Sequence, residues 1–206
     1  MSADACSLLY EICKRRCLFN ITLIDNIPSI IQYGILCYNE VVSIPHQSIA
    51  LADVQDRRET ISIPNGLRLH DYANLYFNPR NPMMYKRKDK ADRICVLAID
   101  ATVLNMPNCV VSDGNAASPI TRFFSPIEGL QHLDFSKIYT KYWNVQDDAL
   151  ATRSNRRLIC AEVLIPHSIP YNMIVGAVVV DSEAQSYLRR MGFEKEIKIY
   201  PNYFFR

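Results

Sequence analysis

The chain has 206 residues, is 49% hydrophobic and 21% charged, and carries a formal net charge of +2. That balance is ordinary for a globular protein: it excludes a disordered polymer, and the near-neutral total excludes nucleic-acid binding by bulk charge alone. No apolar stretch approaches the ~20 residues needed to span a bilayer, and residues 1–9 carry Asp4 with no basic region ahead of an apolar one, so the expectation is one domain over residues 1–206, working in the cytoplasm.

Along the chain, Leu8, Leu9, Ile12 and Cys13 recur at helical spacing and predict a helix over about 4–16. A short strand follows at 18–22, then a helix capped by Asp25, running through Ile30, Ile31 and Tyr33 and closed by Gly34, and a second extended piece at 35–37. The stretch 38–68 has weak periodicity except at 49–56, a short helix with Arg57 and Arg58 at its C-terminal end, where cations meet the helix dipole favourably. A connection this long is more often functional than not, and it is placed to wrap a ligand. Further strands are predicted at 75–78, 94–99, 109–112, 158–165, 174–180 and 195–200, with a helix between Asp181 and Gly192 that turns Leu188 and Met191 inward. The strands are short, proline-punctuated and lack regular β-α-β alternation, which favours an α+β class over a doubly wound sheet. No G-x-G-x-x-G or Walker loop occurs, so any nucleotide is held without those cradles. Seven cysteines with no C-x-x-C pair, several inside apolar runs, read as reduced core residues. Histidines 46, 70, 132 and 167 show no ligand spacing, and no metal is expected.

Glu162 is the only charged residue of the apolar run 158–165, with Arg153, Arg156 and Arg157 immediately upstream. An unpartnered buried carboxylate costs free energy comparable with a whole stability margin, so it needs compensation, either from an ion pair with one of those arginines or from an active site. Two basic clusters stand out, Lys86-Arg87-Lys88-Asp89-Lys90 and the three arginines before Glu162, each preceded by aromatics such as Tyr85, or Tyr142 and Trp143. Either cluster alone can be a solvated surface. Interleaved with aromatics, they suit unstacked single-stranded bases better than a duplex groove.

Four segments occur in an order that resembles the signatures of DarT, the DNA ADP-ribosyltransferase toxin family: residues 18–30, Val-Gln-Asp-Arg-Arg at 54–58, residues 69–85, and Cys-Ala-Glu-Val-Leu-Ile-Pro at 160–166. Tyr-Phe-Asn-Pro-Arg-Asn-Pro-Met-Met-Tyr at 76–85 is the most specific of them. The resemblance implies an ADP-ribosyltransferase fold of two small β-sheets around an NAD cleft with peripheral helices, and transfer of ADP-ribose to a base in single-stranded DNA with release of nicotinamide. It makes Glu162 the catalytic carboxylate. It makes Arg57 or Arg58, with Arg57 preferred, the arginine that contacts NAD and positions that glutamate. Asn20 and Thr22 fall where the family's first strand meets the nicotinamide end, and Tyr76 is placed to stack on that ring. Arg80, Met83 and Met84, together with Lys86, Arg122 and Arg156, make up the DNA-facing set. Many relatives have His where this chain has Asn20, and the segment 59–67 is shorter than in the thymine-modifying branch, so guanine is the favoured base and thymine the alternative. The implied partner is an antitoxin ADP-ribosyl hydrolase of NADAR or macrodomain type. Two other classes fit the residues: an ADP-ribosyltransferase acting on RNA or protein, and a non-enzymatic single-strand binder in which Glu162 is only an ion-pair partner.

Overall fold

The computed structural model describes residues 4–50 and 52–205. Helix α1 (Ala5–Cys13) begins at Asp4, whose carboxylate accepts the Ser7 amide, and stops at Lys14 in the left-handed region. Strand β1 (Cys17–Leu23) leads into α2 (Ile27–Tyr33), which ends at Gly34 with φ +80°. A Cβ there would lie 2.4 Å from the Ile169 carbonyl oxygen, so both the turn and the close approach require glycine. Then come β2 (Ile35–Leu36), α3 (Tyr38–Val41), α4 (Ala52–Glu59), β3 (Tyr72–Tyr76), α5 (Pro82–Tyr85), β4 (Ile94–Asp100), β5 (Val110–Ser112) and β6 (Phe123–Phe124). The last part holds α6 (Pro126–His132), α7 (Phe135–Ile138), α8 (Ala149–Leu158), β7 (Glu162–Pro166), β8 (Ser168–Ile169), β9 (Ile174–Val179), α9 (Ser182–Arg190) and β10 (Glu196–Ile199).

The strands form one eight-stranded sheet, ordered β10-β9-β4-β1-β3-β7-β5-β6, and a two-stranded sheet of β2 and β8. Strand β1 pairs with β4 along its whole length, from Cys17 opposite Asp100 to Leu23 opposite Ile94, but meets β3 at a single pair, Phe19 and Tyr76. The large sheet is therefore two four-stranded halves joined at one point, which is how the expected pair of small sheets is realised. The first half is built on β4, whose Ile94, Cys95, Val96 and Leu97 are fully buried. Burying each of the larger aliphatics stabilises by about 1.5–3 kcal/mol. In the second half β3 and β7 pair from Tyr72 opposite Pro166 to Tyr76 opposite Glu162. Strands β9 and β10 are parallel and joined through α9, so one β-α-β unit does occur. Among the described residues no helix is long and apolar enough to cross a membrane.

Three expectations need correction. The predicted strand over 158–165 is strand only in its second half: Leu158 closes α8, Ile159 to Ala161 are buried in the turn after it, and the strand opens at Glu162, so Cys160 lies outside the strand. A short buried apolar run has the same pattern in either state. The strand predicted at 75–78 lies at Tyr72–Tyr76, and the helix predicted at 49–56 lies at Ala52–Glu59. The region 126–157, to which the pattern assigns no element, holds α6, α7 and nearly all of α8. All seven cysteines are free thiols, and burial pushes those of Cys95 and Cys109 up to about 12.

Candidate active site

Two adjoining hollows, of about 200 and 260 Å³, form one cleft over the middle of the sheet and share Asn20, Arg58 and Asn74 as common wall. One side is the segment 44–50, part of the long aperiodic stretch. It is clasped from both directions: Asn26 exchanges two 2.9 Å hydrogen bonds with the Gln47 backbone, and Arg87 donates to the carbonyls of Ile49 at 2.6 Å and Ala50 at 3.0 Å. Arg87, a member of the first basic cluster, thus holds a cleft wall.

Glu162 borders the inner hollow and is 1% exposed. Its position at the start of β7 places it directly opposite Tyr76 on β3. The Arg58 guanidinium donates to Oε2 at 3.1 Å and the Ala116 amide donates to Oε1 at 2.9 Å. Its own amide donates to Ser112 Oγ at 3.1 Å, whose hydroxyl donates on to the Gly114 carbonyl at 2.7 Å. Both carboxylate oxygens and the backbone are therefore fixed by groups from β5, the turn after it, and α4. None of the arginines upstream supplies the charge. Arg157 instead pairs with Asp113 at 2.6 Å, and Arg122 joins that same carboxylate at 3.0 Å. Burial alone would raise the Asp113 carboxyl, but the Arg122 amide and the two guanidiniums outweigh it and hold it below the usual range. This cluster locks the turn that presents the Ala116 amide to Glu162.

Of the two adjacent arginines of α4, it is Arg58 that turns inward. Arg57 is half exposed on the cleft rim and pairs with Asp53 at 3.3 Å one helical turn back. The preference for Arg57 as the arginine that positions the glutamate is corrected accordingly: successive helical residues point about 100° apart, so only one of the pair can reach the floor. Asn20 lines both hollows and donates to the Asn74 carbonyl at 3.2 Å, while the Thr22 hydroxyl, buried at the outer hollow, accepts from Asn26 at 3.1 Å. Tyr76 lines the inner hollow, and burial followed by the Glu162 charge pushes its phenol far above the ordinary value, so it stays neutral.

The predicted DNA-facing set divides. Met83 and Lys86 line the inner hollow, but Met84 is fully buried in the core and is removed from the set. Alternation along the single turn of α5, started by Asn81 accepting the amides of Met83 and Met84, turns one methionine out and the other in. Arg80 also points away from the cleft: it donates to the carbonyls of Asn202 at 3.0 Å and Phe204 at 2.5 Å and lies 3.8 Å over the Phe205 ring. Arg122 belongs to the Asp113 cluster. Arg156 is exposed beside Asn144, in a separate hollow with Tyr85 and Trp143. Sequence reasoning missed Ser112, Asp113 and Ala116; the Asp-Gly-Asn turn at 113–115 was the available signal. It also missed His70, buried beside Arg58, stacked on Tyr38 with ring centroids 4.1 Å apart and bonded through Nε2 to Gln55 at 3.0 Å. Burial first, then the Arg58 charge, lower its pKa.

A family model described as DarT, ssDNA thymidine ADP-ribosyltransferase, matches residues 19–205. The chain belongs to the DarT family. Among known DarT relatives it is 32% identical over 195 residues to a DNA ADP-ribosyl transferase-DNA ADP-ribosyl glycohydrolase fusion protein of Thermosipho africanus, an alignment that covers 90% of this chain and 48% of the relative. It therefore spans about half the length of that protein. A DNA ADP-ribosyl transferase of Thermus sp. is 32% identical over 199 residues, covering 89% of this chain and 88% of the relative. The solved Thermosipho africanus DarTG with ADP-ribose superposes with a TM-score of 0.80 at 28% identity, over 93% of this chain and 51% of that one. The Thermus DarT solved with ADP-ribosylated single-stranded DNA gives 0.78 at 27%, over 93% and 97%. The α+β architecture is thus that of DarT proteins.

Proposed function

We propose that the chain is an NAD-dependent transferase that moves ADP-ribose onto a base in single-stranded DNA, as the toxin of a toxin–antitoxin pair, with residues 1–206 acting as one domain in the cytoplasm. The observation that carries this reading is a buried carboxylate, held on both oxygens by Arg58 and the Ala116 amide, at the floor of a cleft in a DarT-family chain. In the reaction the bond from ribose C1′ to nicotinamide breaks and a bond from a base nitrogen to C1′ forms. Glu162 opposes the positive charge that develops on the ribose, holds its 2′-hydroxyl and takes the proton the attacking nitrogen gives up. Arg58 positions that carboxylate and, as a planar guanidinium, can also face the pyrophosphate. Asn20 lines both hollows, Thr22 the outer one and Tyr76 the inner one; in this reading they take the nicotinamide end of NAD, with the neutral Tyr76 ring as a stacking face.

Single strands are the favoured substrate because a base edge is shielded inside a stacked duplex. For the base, Asn20 and the short 59–67 segment favour guanine, whereas the family description names thymidine. The Thermosipho relative joins its transferase to a DNA ADP-ribosyl glycohydrolase, which supports a hydrolase partner for this chain; the NADAR or macrodomain type is the finer part of the proposal. Incubation with NAD and defined oligonucleotides, followed by intact mass, tests the whole reading. A gain of one ADP-ribose on G-only strands, with T-only strands and duplex spared, is the expected result. Labelling of T-only strands alone would move the base to thymine. Labelling of RNA or protein instead of DNA would overturn the substrate class, and retention without mass change would leave only a binder.

A further inference from the structure

Away from the cleft, a basic and aromatic groove runs over the surface between α5, the 139–144 segment and the 200–205 tail. It consists of a hollow of about 680 Å³ and a smaller one of about 250 Å³ that share Arg80, Lys141 and Tyr142. Among the described residues that line it, cations recur (Arg15, Arg80, Lys141, Arg156) and no Asp or Glu appears. Tyr142 is 70% exposed and Tyr85 46%, and a lysine amine lies over each ring, Lys141 at 5.3 Å and Lys88 at 5.2 Å, so exposed rings and cations are interleaved. The floor is rigid: the Trp143 ring packs edge-on against Phe205 and Tyr85, with centroids 5.5 and 6.0 Å apart. Arg80 is committed to the tail carbonyls, yet its Nε is buried with no hydrogen-bond partner.

The groove and the active cleft share a wall. Pro82 and Met83 of α5 line the cleft while Tyr85, on the same turn, lines the groove. On the other side Trp143 packs with Ile159 and Cys160, and Cys160 itself lines the cleft two residues before Glu162. We infer that this groove is the track for the single strand flanking the modified nucleotide, with Lys141 neutralising a phosphate and Tyr142 stacking a base; the inference rests on the single-stranded DNA reading above. Cations without acidic neighbours, interleaved with exposed rings, are what a flexible polyanion with π-faced bases requires, and a protein partner would be expected to meet acidic or apolar complements here as well.

The experiment compares a short oligonucleotide that only fills the cleft with a longer one of the same core, under fixed NAD, for wild type, Tyr142→Ala and Lys141→Glu. The expected result is a lower KM for the long oligonucleotide in wild type, raised about tenfold by Tyr142→Ala, with the short one unaffected. Lys141→Glu should raise the same KM and flatten its dependence on salt, since one phosphate contact is lost. Equal KM values for the two lengths in wild type, or variants that shift both alike, overturn the groove and leave the transferase reading standing. Wild-type protein that labels neither length overturns both.

Discussion

The two halves of the sheet differ in what they bury. Among the described residues, the only buried polar side chain on a strand of the β10-β9-β4-β1 half is Thr22, and the rest is apolar packing, aliphatic apart from Phe19 and Cys95. The β3-β7-β5-β6 half and the segments laid on it bury Glu162, Arg58, His70, Asn78, Asn81, Ser112 and Asp113. One half is a scaffold stabilised by apolar burial; the other holds buried polar and charged groups, each compensated by a partner. Desolvated polar groups are concentrated where chemistry needs fixed dipoles, and the apolar half offsets their cost.

The comparison breaks most sharply at Glu162. Glu162→Gln keeps the volume and removes the charge, so transfer to an oligonucleotide should fall by about two to three orders of magnitude while the protein remains folded, as judged by thermal midpoint beside initial rate. A destabilised variant with a near wild-type rate under folding conditions would defeat the catalytic role. Arg58→Ala strands the buried carboxylate and should cost about 3–5 kcal/mol in denaturant unfolding, most of it recovered in the Glu162→Gln background, where no charge is left to strand. In the scaffold half, Leu97→Ala should cost a similar 2–5 kcal/mol or so through its cavity, yet leave the turnover of folded molecules unchanged.

A subtler contrast lies in pH. The folded-state pKa of Asp113 is depressed below its ordinary 3.8, so its stabilisation is present above that value and is lost as pH falls through the lower folded one. Thermal midpoints taken down a series of acid buffers should therefore drop more steeply for wild type than for Asp113→Asn, and parallel slopes would show that the cluster contributes nothing. Smallest of all is Arg57→Ala, expected to change stability by no more than about 0.5 kcal/mol because its pair with Asp53 is exposed.

Much of the scaffold was legible in the sequence, since β1 and β4 are nearly continuous apolar runs and α9 is bracketed by its N-cap Asp181 and by Gly192, one residue past its C-cap. The candidate site was legible in part. A lone acid in an apolar run marked Glu162, but its partner lies 104 residues away and no local pattern encodes that distance. Nor could the pattern choose between Arg57 and Arg58: α4 has no apolar stripe to set its phase. Ala116 contributes only a backbone amide, which any residue type except proline would supply.

The single pairing of Phe19 with Tyr76 carries a further consequence. A continuous ladder would tie the geometry of one half to every register shift in the other. With one backbone rung at the seam and the Asn20–Asn74 hydrogen bond beside it, the cleft-lining edge of β1 and the Glu162-bearing edge of β3 and β7 are coupled at few points. Substitutions that remodel the substrate side can accumulate in β5, α8 and their turns without disturbing the hydrogen bonding of β1 and β4. Such modularity lets one half of the cleft change while the other keeps its frame.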